Sequence, residues 1–293
     1  MKSYAFYSST IKPEEQQLLI KFARQVGAEP LGTTRYQKCD VAIIFGSWKK
    51  QSKKEWKADR TPHHKLKNDI IDNHRGPVVI FETPLLNRKI TQNHTHYRVG
   101  LNHFMRGLSD FKNEQSSPDR FNSMGIDIKP WRKKGDHVLV VGQNLHDASL
   151  FGLNFEWWIE NTLRHLMKNT DRPIVVRDHP ENKNLLEKLI KDKFGYTNQV
   201  SYDTNAKIGQ SLKNAWCTVS YTSGSSIDSV LAGVPVITCS EYNFMWPISS
   251  HSIEDIETPK LGSRQQTFYD LAWTQWSVDE IKQGKPWEHL IEN

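Results

Sequence analysis

The sequence predicts an α/β protein of two domains, each a parallel sheet covered by helices, and three observations predict it. Short β-branched runs alternate with helix-period segments along most of the chain, the order that βαβ units require. The alternation starts afresh after Lys129-Pro-Trp-Arg-Lys-Lys-Gly135, which has the composition of an interdomain linker. The chain is 293 residues long, and at roughly 150 residues per domain that is room for two.

In the first half, Tyr4–Tyr7 reads as a short strand, and Pro13 opens a helix because proline is tolerated in a first turn. The apolar positions Leu18, Leu19, Phe22, Ala23 and Val26 follow the helical period, and Gly27 closes it. Asp40-Val-Ala-Ile-Ile-Phe-Gly46 is a continuous apolar run ended by glycine, the pattern of a strand buried on both faces. A helix is expected over 62–74, then a second buried strand, Pro77-Val-Val-Ile-Phe-Glu-Thr-Pro84, ending in a carboxylate. Residues 85–135 show the least regular pattern. The second half predicts strands at His137–Gln143, Pro173–Pro180, Val200–Tyr202, Cys217–Tyr221 and Val234–Cys239, with helices over 154–168, 182–194, 206–214 and Ile227–Ala232. The expected domains are Rossmann-like, over 1–133 and 134–265.

Composition narrows the class. Hydrophobic residues at 37% and charged residues at 25% exclude a disordered or collagen-like chain. No apolar run approaches the roughly 18 residues of a membrane span, and the N-terminus turns polar at Ser8, without a signal-peptide core. Membrane insertion is therefore not expected. Cys39, Cys217 and Cys239 are odd in number and widely spaced, which suits a reducing, cytoplasmic compartment and not a metal cluster. The net charge of +6 is unevenly spread: residues 1–135 hold 25 Lys+Arg against 13 Asp+Glu, and residues 136–293 hold 14 against 20. A basic first half suits a polyanionic partner. A solvated lysine-rich surface is the competing explanation.

In open parallel sheets, ligands bind outside the carboxyl ends of the strands. Those ends in the second half carry Gln143 and Asn144, then Arg177, Asp178 and His179, then Thr222-Ser223-Gly224-Ser225-Ser226, then Ser240 and Glu241. Four hydroxyls and a glycine at a helix start can cradle a phosphate, since free N–H groups and a partial positive charge meet there. A simple N-cap is the alternative. Arg177 and His179 could neutralise a phosphate leaving group. The Gly-x-Ser-x-Gly, P-loop and Gly-x-Gly-x-x-Gly patterns are absent, which counts against hydrolase, NTPase and dehydrogenase readings. His63-His64 and His94-x-His96 lack partners at ligand spacing, so no metal site is expected.

The succession strand–Gly-Gln, strand–Arg-x-His-Pro, strand–Thr-Ser-Gly-Ser-Ser–helix, Gly233-Val-Pro-Val-Ile and Glu241 resembles the nucleotide-sugar half of GT-B-fold glycosyltransferases. It is most similar to the branch with His-Pro and Ser-Ser motifs, which includes Kdo transferases and bacterial sialyltransferases. The similarity covers about residues 137–245. It implies that His179 and the Ser225–Ser226 pair hold the donor phosphates, that Glu241 meets the ribose or sugar, and that 266–293 form helices crossing back to the first domain. The first domain is short for that family, and the carboxylate-rich motif of the sialyltransferases is not visible. The segment from Ala272 to Leu290 resembles the tails of bacteriophage-encoded proteins. T-even-like phages carry glucosyl- and arabinosyltransferases that modify 5-hydroxymethylcytosine in their DNA, which implies host cytoplasm as the location.

On that resemblance the expected donor is a nucleotide sugar, UDP-linked in preference to CMP-linked, and the expected acceptor is duplex DNA. Trp48, Lys49, Lys50, Lys53, Lys54 and Trp56 interleave aromatic and basic side chains, as a nucleic-acid surface does. A lysine helix with its tryptophans facing inward is the other reading. Arg98, His103 and Arg106 form a second candidate contact. Glu82, at a strand end, is the first candidate for the general base, with an ion pair to Arg88 as the competing explanation and His103 and Asp127 less favoured. A bacterial surface polysaccharide or glycolipid as acceptor, and a catalytically silent DNA-binding protein, remain the alternatives.

Overall fold

The computed structural model of the protein describes residues 1–48, 61–88, 94–182, 184–195, 199–205 and 207–292. Among them the strands are β1 (Ser3–Tyr7), β2 (Glu29–Gly32), β3 (Val41–Phe45), β4 (Val78–Glu82), β5 (His96–Leu101), β6 (His137–Val141), β7 (Ile174–Arg177), β8 (Val200–Tyr202), β9 (Ala215–Ser220), β10 (Val236–Thr238) and β11 (Gln275–Ser277). The helices are α1 (Pro13–Gln25), α2 (Pro62–Asn73), α3 (Asp119–Ser123), α4 (Phe155–Asn169), α5 (Leu185–Phe194), α6 (Ile208–Ser211), α7 (Ser225–Leu231), α8 (Gln265–Ala272), α9 (Val278–Lys282) and α10 (Lys285–Trp287). The chain forms two compact units: Met1–Met124 together with Phe268–Asn293, and Gly125–Thr267.

The first unit is built on a six-stranded sheet in the order β11-β5-β4-β3-β1-β2. Strands β2, β1, β3 and β4 are parallel, while β5 runs antiparallel to β4 and β11 antiparallel to β5. β1 and β3 are buried almost throughout, as their unbroken apolar runs require. α1 starts at Pro13 with Glu14 and Glu15 in its first turn, and buries Leu18, Leu19, Phe22 and Ala23 against one sheet face. There Phe22 meets Phe81 edge-on at 4.9 Å between ring centres. α2 starts at Pro62 after the Thr61 cap, whose side chain accepts the His64 N–H, and buries His63, Leu66, Lys67 and Ile70.

Two of these strands correct the reading of 85–135 and of the chain end. β5 lies within the segment that showed no period, because Arg98 and Gly100 interrupt its apolar alternation. Gly100 is required there: a Cβ would stand 2.3 Å from Ser109 Oγ and 2.5 Å from Phe111 Cε1. β11 places a strand where only helices were expected, and completes the sheet of the first unit from the far end of the chain.

The second unit has a fully parallel sheet in the order β10-β9-β6-β7-β8. Its core joins β6, β7 and β9 to Phe155, Trp158, Ile159, Leu163 and Leu166 of α4, spaced on one helical face. The helix expected over 182–194 begins only at Leu185. Asn184 stands at φ +62°, a left-handed residue that ends the preceding turn, and Asp178 Oδ2 accepts the Leu186 N–H at 2.9 Å. The helix expected over 206–214 is four residues long, Ile208–Ser211. Residues 125–133, read from the sequence as the end of the first domain, pack in the second unit. There Lys129 N–H donates to Leu231 O at 2.9 Å, Arg132 N–H donates to Gly233 O at 2.7 Å, and Arg264 lies 3.9 Å over the Trp131 ring.

Candidate functional site

The second sheet changes direction of winding at β6: β7 and β8 follow on one side, and β9 and β10 on the other. The crevice between the carboxyl ends of β6 and β9 is therefore the topological switch point, where open parallel sheets receive ligands. Gln143 follows β6 and Thr222 follows β9, and the structure joins them. Gln143 Nε2 donates to Thr222 Oγ1 at 2.8 Å and to Ser149 Oγ at 2.7 Å, while Gln143 Oε1 accepts the Thr222 N–H at 3.3 Å. Ser149 Oγ donates to Asp147 Oδ1 at 2.9 Å. Gln143, Ser149 and Thr222 are all buried, so this network fixes loop geometry from beneath the crevice.

The neighbouring loops are tied to the same frame. Asn182 Nδ2 donates to Gln143 O at 2.8 Å and to Asp178 Oδ1 at 2.7 Å, coupling the loop after β6 to the loop after β7. Gly142 permits this approach, since its own N–H donates to Arg177 O at 2.6 Å and a Cβ there would stand 2.8 Å from that oxygen. Asn144 donates to Glu181. Ser226 is buried and donates to Ser223 O and to Asn243 Oδ1, both at 2.9 Å, which ties the start of α7 to the loop after β10. Ser223, Gly224 and Ser225 are left half-buried at the start of α7, and Glu241 is exposed.

The cation and the imidazole part company. Arg177 is buried, and its Nη1 donates to Asp203 Oδ2 at 3.2 Å, Asn205 O at 2.6 Å and Ser211 Oγ at 2.9 Å. Asp203 follows β8, so this guanidinium reaches to the side of β7 away from β9. Burial works to raise the Asp203 carboxyl, but hydrogen bonds from Ser211, Asn205 and Arg177 outweigh it and hold the group below its ordinary value. Arg177 thus forms an ion pair with Asp203 and also lines a polar cavity with His179. His179 stays half-buried and oriented. Its Nδ1 accepts the Glu181 N–H at 3.2 Å, which makes Nε2 the proton-bearing nitrogen of the neutral ring. A polar cavity of about 360 Å³ opens beside it, lined among others by His179, Asn184, Tyr202, Thr204 and Asn205.

In the first unit, Glu82 is half-buried at the end of β4, and each oxygen accepts one backbone N–H: Oε2 from Ser47 and Oε1 from Thr83, both at 2.8 Å. These bonds hold the carboxylate in place without using a charged partner. The nucleic-acid candidates fare differently. Lys49, Lys50, Lys53, Lys54 and Trp56 lie outside the described residues. Trp48 is not presented as a wedge: it is buried, edge-on to His103 at 5.0 Å and to Phe104 at 5.2 Å. Arg98 is buried in the middle of β5, paired in register with Glu82 on one side and Gln275 on the other, so it offers no surface charge. His103 stacks on Phe104, and burial, assisted by Arg98, pushes its pKa down to about 4. Arg106 is half-buried.

Sequence reasoning passed over Ser149, Asn182, Asp203 and Asn243, which do the fastening. Only the Asn182 position carried a signal, as a small amide following His-Pro. Among the described residues, no group of three or more His, Cys, Asp or Glu side chains is arranged to hold a metal ion, and no helix is long and apolar enough to cross a membrane.

No family model matches the sequence, and no curated protein matches it either. The fold does have solved counterparts. The chain is similar to Thermosulfurimonas dismutans KpsC, beta Kdo 2,7 transferase, at 14% identity and a TM-score of 0.56, covering 97% of this chain and 98% of that one. It is similar to Thermosulfurimonas dismutans KpsC, beta Kdo 2,4 transferase, at 11% identity and a TM-score of 0.56, covering 93% of this chain and 90% of that one. The likeness runs through both units and nearly the whole length of each chain, and it establishes the fold: the protein has the two-domain, GT-B-like α/β architecture.

Proposed function

We propose that the protein is a glycosyltransferase that takes a sugar from a nucleotide-sugar donor held on the second unit. The observation that carries this reading is the switch-point crevice, where a buried Gln143–Ser149–Thr222 network supports the half-buried Ser223, Gly224 and Ser225. The hydroxyls of Ser223 and Ser225, on either side of Gly224, suit donor phosphates. His179 Nε2–H suits the same anion from the neighbouring strand end. Gln143, Thr222 and Ser226 then act as supports beneath the ligand, and Glu241 meets a ribose or sugar hydroxyl. A UDP-sugar is the preferred donor over a CMP-sugar.

The acceptor we favour is 5-hydroxymethylcytosine in duplex DNA, with Glu82 as the general base that takes the hydroxyl proton. Charge supports it: the first unit, counted over its whole sequence, holds 23 Lys+Arg against 17 Asp+Glu, and the second holds 16 against 16. The net +6 thus belongs entirely to the first unit, and the basic segment 49–60 supplies most of it. A second reading rests on the likeness to the two KpsC Kdo transferases and takes a bacterial surface polysaccharide or glycolipid as acceptor.

One assay separates them. The protein is incubated with UDP- and CMP-sugars and either hydroxymethylated duplex DNA or surface glycan acceptors, and the products are weighed by mass spectrometry. Pentose or hexose on the DNA base supports the favoured reading; sugar on glycan alone replaces it with the second. DNA binding that survives His179→Ala and Ser225→Ala, without transfer by the unmutated protein, would indicate a silent binder.

A further inference from the structure

At the carboxyl end of the first sheet, three polar groups stand in one row. The parallel registers Ala5↔Ile43 and Phe45↔Phe81 continue to place Ser8 beside Gly46 and Gly46 beside Glu82. Ala5, Ile43, Phe45, Val79 and Phe81 point toward α1, so by strand alternation Ser8, Gly46 and Glu82 face the other side, which α2 covers. Lys67 comes up from α2 into the middle of that row. A Cβ on Gly46 would stand 3.0 Å from its Nζ, so the glycine leaves the space that the ammonium fills.

These groups are buried. Lys67 is 4% exposed, and among the described residues it has no hydrogen bond and no ion pair within 4.0 Å. Ser8 Oγ and His63 Nδ1 are buried without a hydrogen-bond partner. His63 Nε2 donates to Phe45 O at 3.0 Å, which leaves Nδ1 as an acceptor facing no donor. A buried hydroxyl left unpaired destabilises a fold by its lost hydration, and such a group persists where a ligand completes it. Burial, against the pull of Glu82 and Glu15, lowers the Lys67 pKa to about 8.

We infer that Ser8, Lys67 and Glu82 form the subsite for the acceptor hydroxyl, in which Lys67 is a further catalytic residue that donates to the hydroxyl oxygen while Glu82 receives its proton. The inference rests on the glycosyltransferase reading above and deepens it. In the transfer step the acceptor O–H proton passes to Glu82, the oxygen forms a bond to the anomeric carbon, and the bond from that carbon to the donor phosphate breaks with its electron pair leaving on phosphate. The ammonium stabilises the negative charge that develops on the acceptor oxygen.

The test is Lys67→Met, with Ser8→Ala as the milder companion, read in two ways. In thermal melts of the full chain without ligand, both variants are expected to melt at or above the unmutated temperature, by about 2–4 °C for Lys67→Met, because a charge disfavoured by burial is replaced by a methyl group of similar reach. In the transfer assay above, Lys67→Met is expected to lose at least about tenfold in kcat/KM for the acceptor, with nucleotide Kd by calorimetry unchanged. A lower melting temperature for Lys67→Met would make the lysine structural and overturn the inference. Unaltered acceptor kinetics would overturn it as well. Absence of nucleotide-sugar binding by the unmutated protein would instead remove the enzyme reading, and the melts would still decide whether Lys67 is structural.

Discussion

At the scale of single residues, the site is held by side chains whose hydrogen bonds are already used. Thr222→Val keeps the volume and removes the hydroxyl that meets Gln143 and Ser149, leaving buried polar partners unmatched. We expect it to lower stability by about 1–3 kcal/mol, read as a reduced urea midpoint at constant slope. Ser225→Ala, on the half-buried rim, should leave the midpoint within about 0.5 kcal/mol and weaken nucleotide binding instead. A variant that reverses this order would mean that the rim and the support have been exchanged. His63 and His103 give a pH signature. Burial, aided by the Lys67 charge, lowers His63 to about 4, and burial aided by Arg98 does the same for His103. Between their unfolded value near 6.5 and about 4 the unfolded chain binds the extra protons, so stability is present above about pH 6.5 and is lost as pH falls. Urea midpoints that stay flat from pH 7 to 4 would contradict the burial of both rings.

At the scale of elements, the first unit depends on a segment from the other end of the chain. Arg120 of α3 binds Glu280 of α9 through Nη2 at 2.8 Å and Nη1 at 3.0 Å, donates to Gln275 O at 3.2 Å, and lies over Trp276 at 4.2 Å. Glu280 also closes a capping box with Ser277 at the start of α9. Arg120→Ala removes a bidentate pair and a cation–π contact that are partly buried, and should cost about 1–3 kcal/mol in the urea midpoint. A loss below about 0.5 kcal/mol would show that β11 and α9 are held by apolar packing alone. The sequence showed β1, β3, β4 and the five strands of the second sheet because each is a compact run rich in β-branched or aromatic residues. It did not show β2, β5 or β11. Arg98 and Gly100 belong in β5 only because Glu82, Gln275, Ser109 and Phe111 surround them, and Gln275 comes from the far end of the chain.

At the scale of the whole molecule, the charge division is smaller than the two sequence halves suggest. Asp270, Asp279, Glu280, Glu288 and Glu292 return to the first unit with Lys282 and Lys285, while Lys129, Arg132, Lys133 and Lys134 go to the second with Asp127. The excess that remains on the first unit rests mainly on Lys49, Lys50, Lys53, Lys54, Lys57 and Arg60, set against Glu55 and Asp59. If DNA is the partner, changing Lys49, Lys50, Lys53 and Lys54 to Glu should weaken binding uniformly across sequences and flatten the dependence of log K on log salt. An unchanged salt slope would remove the electrostatic case for a nucleic-acid acceptor.

By itself the sequence determined the α/β class, the strand ends of the second sheet and the loop residues gathered there, because buried parallel strands and helix starts have local signatures. The tertiary structure decided which of those residues are buried in hydrogen-bond networks and which are left half-buried. Gln143, Thr222 and Ser226 read like Ser223 and Ser225 in one dimension, and only the neighbours brought to them by the sheet order distinguish them. It also decided that Arg177 answers Asp203, that Trp48 and Arg98 are core, and that Ser8, Lys67 and Glu82 share one edge. The physical reason is the same throughout: burial and hydrogen-bond partners are properties of long-range packing, and a residue type states only what it could do if left exposed.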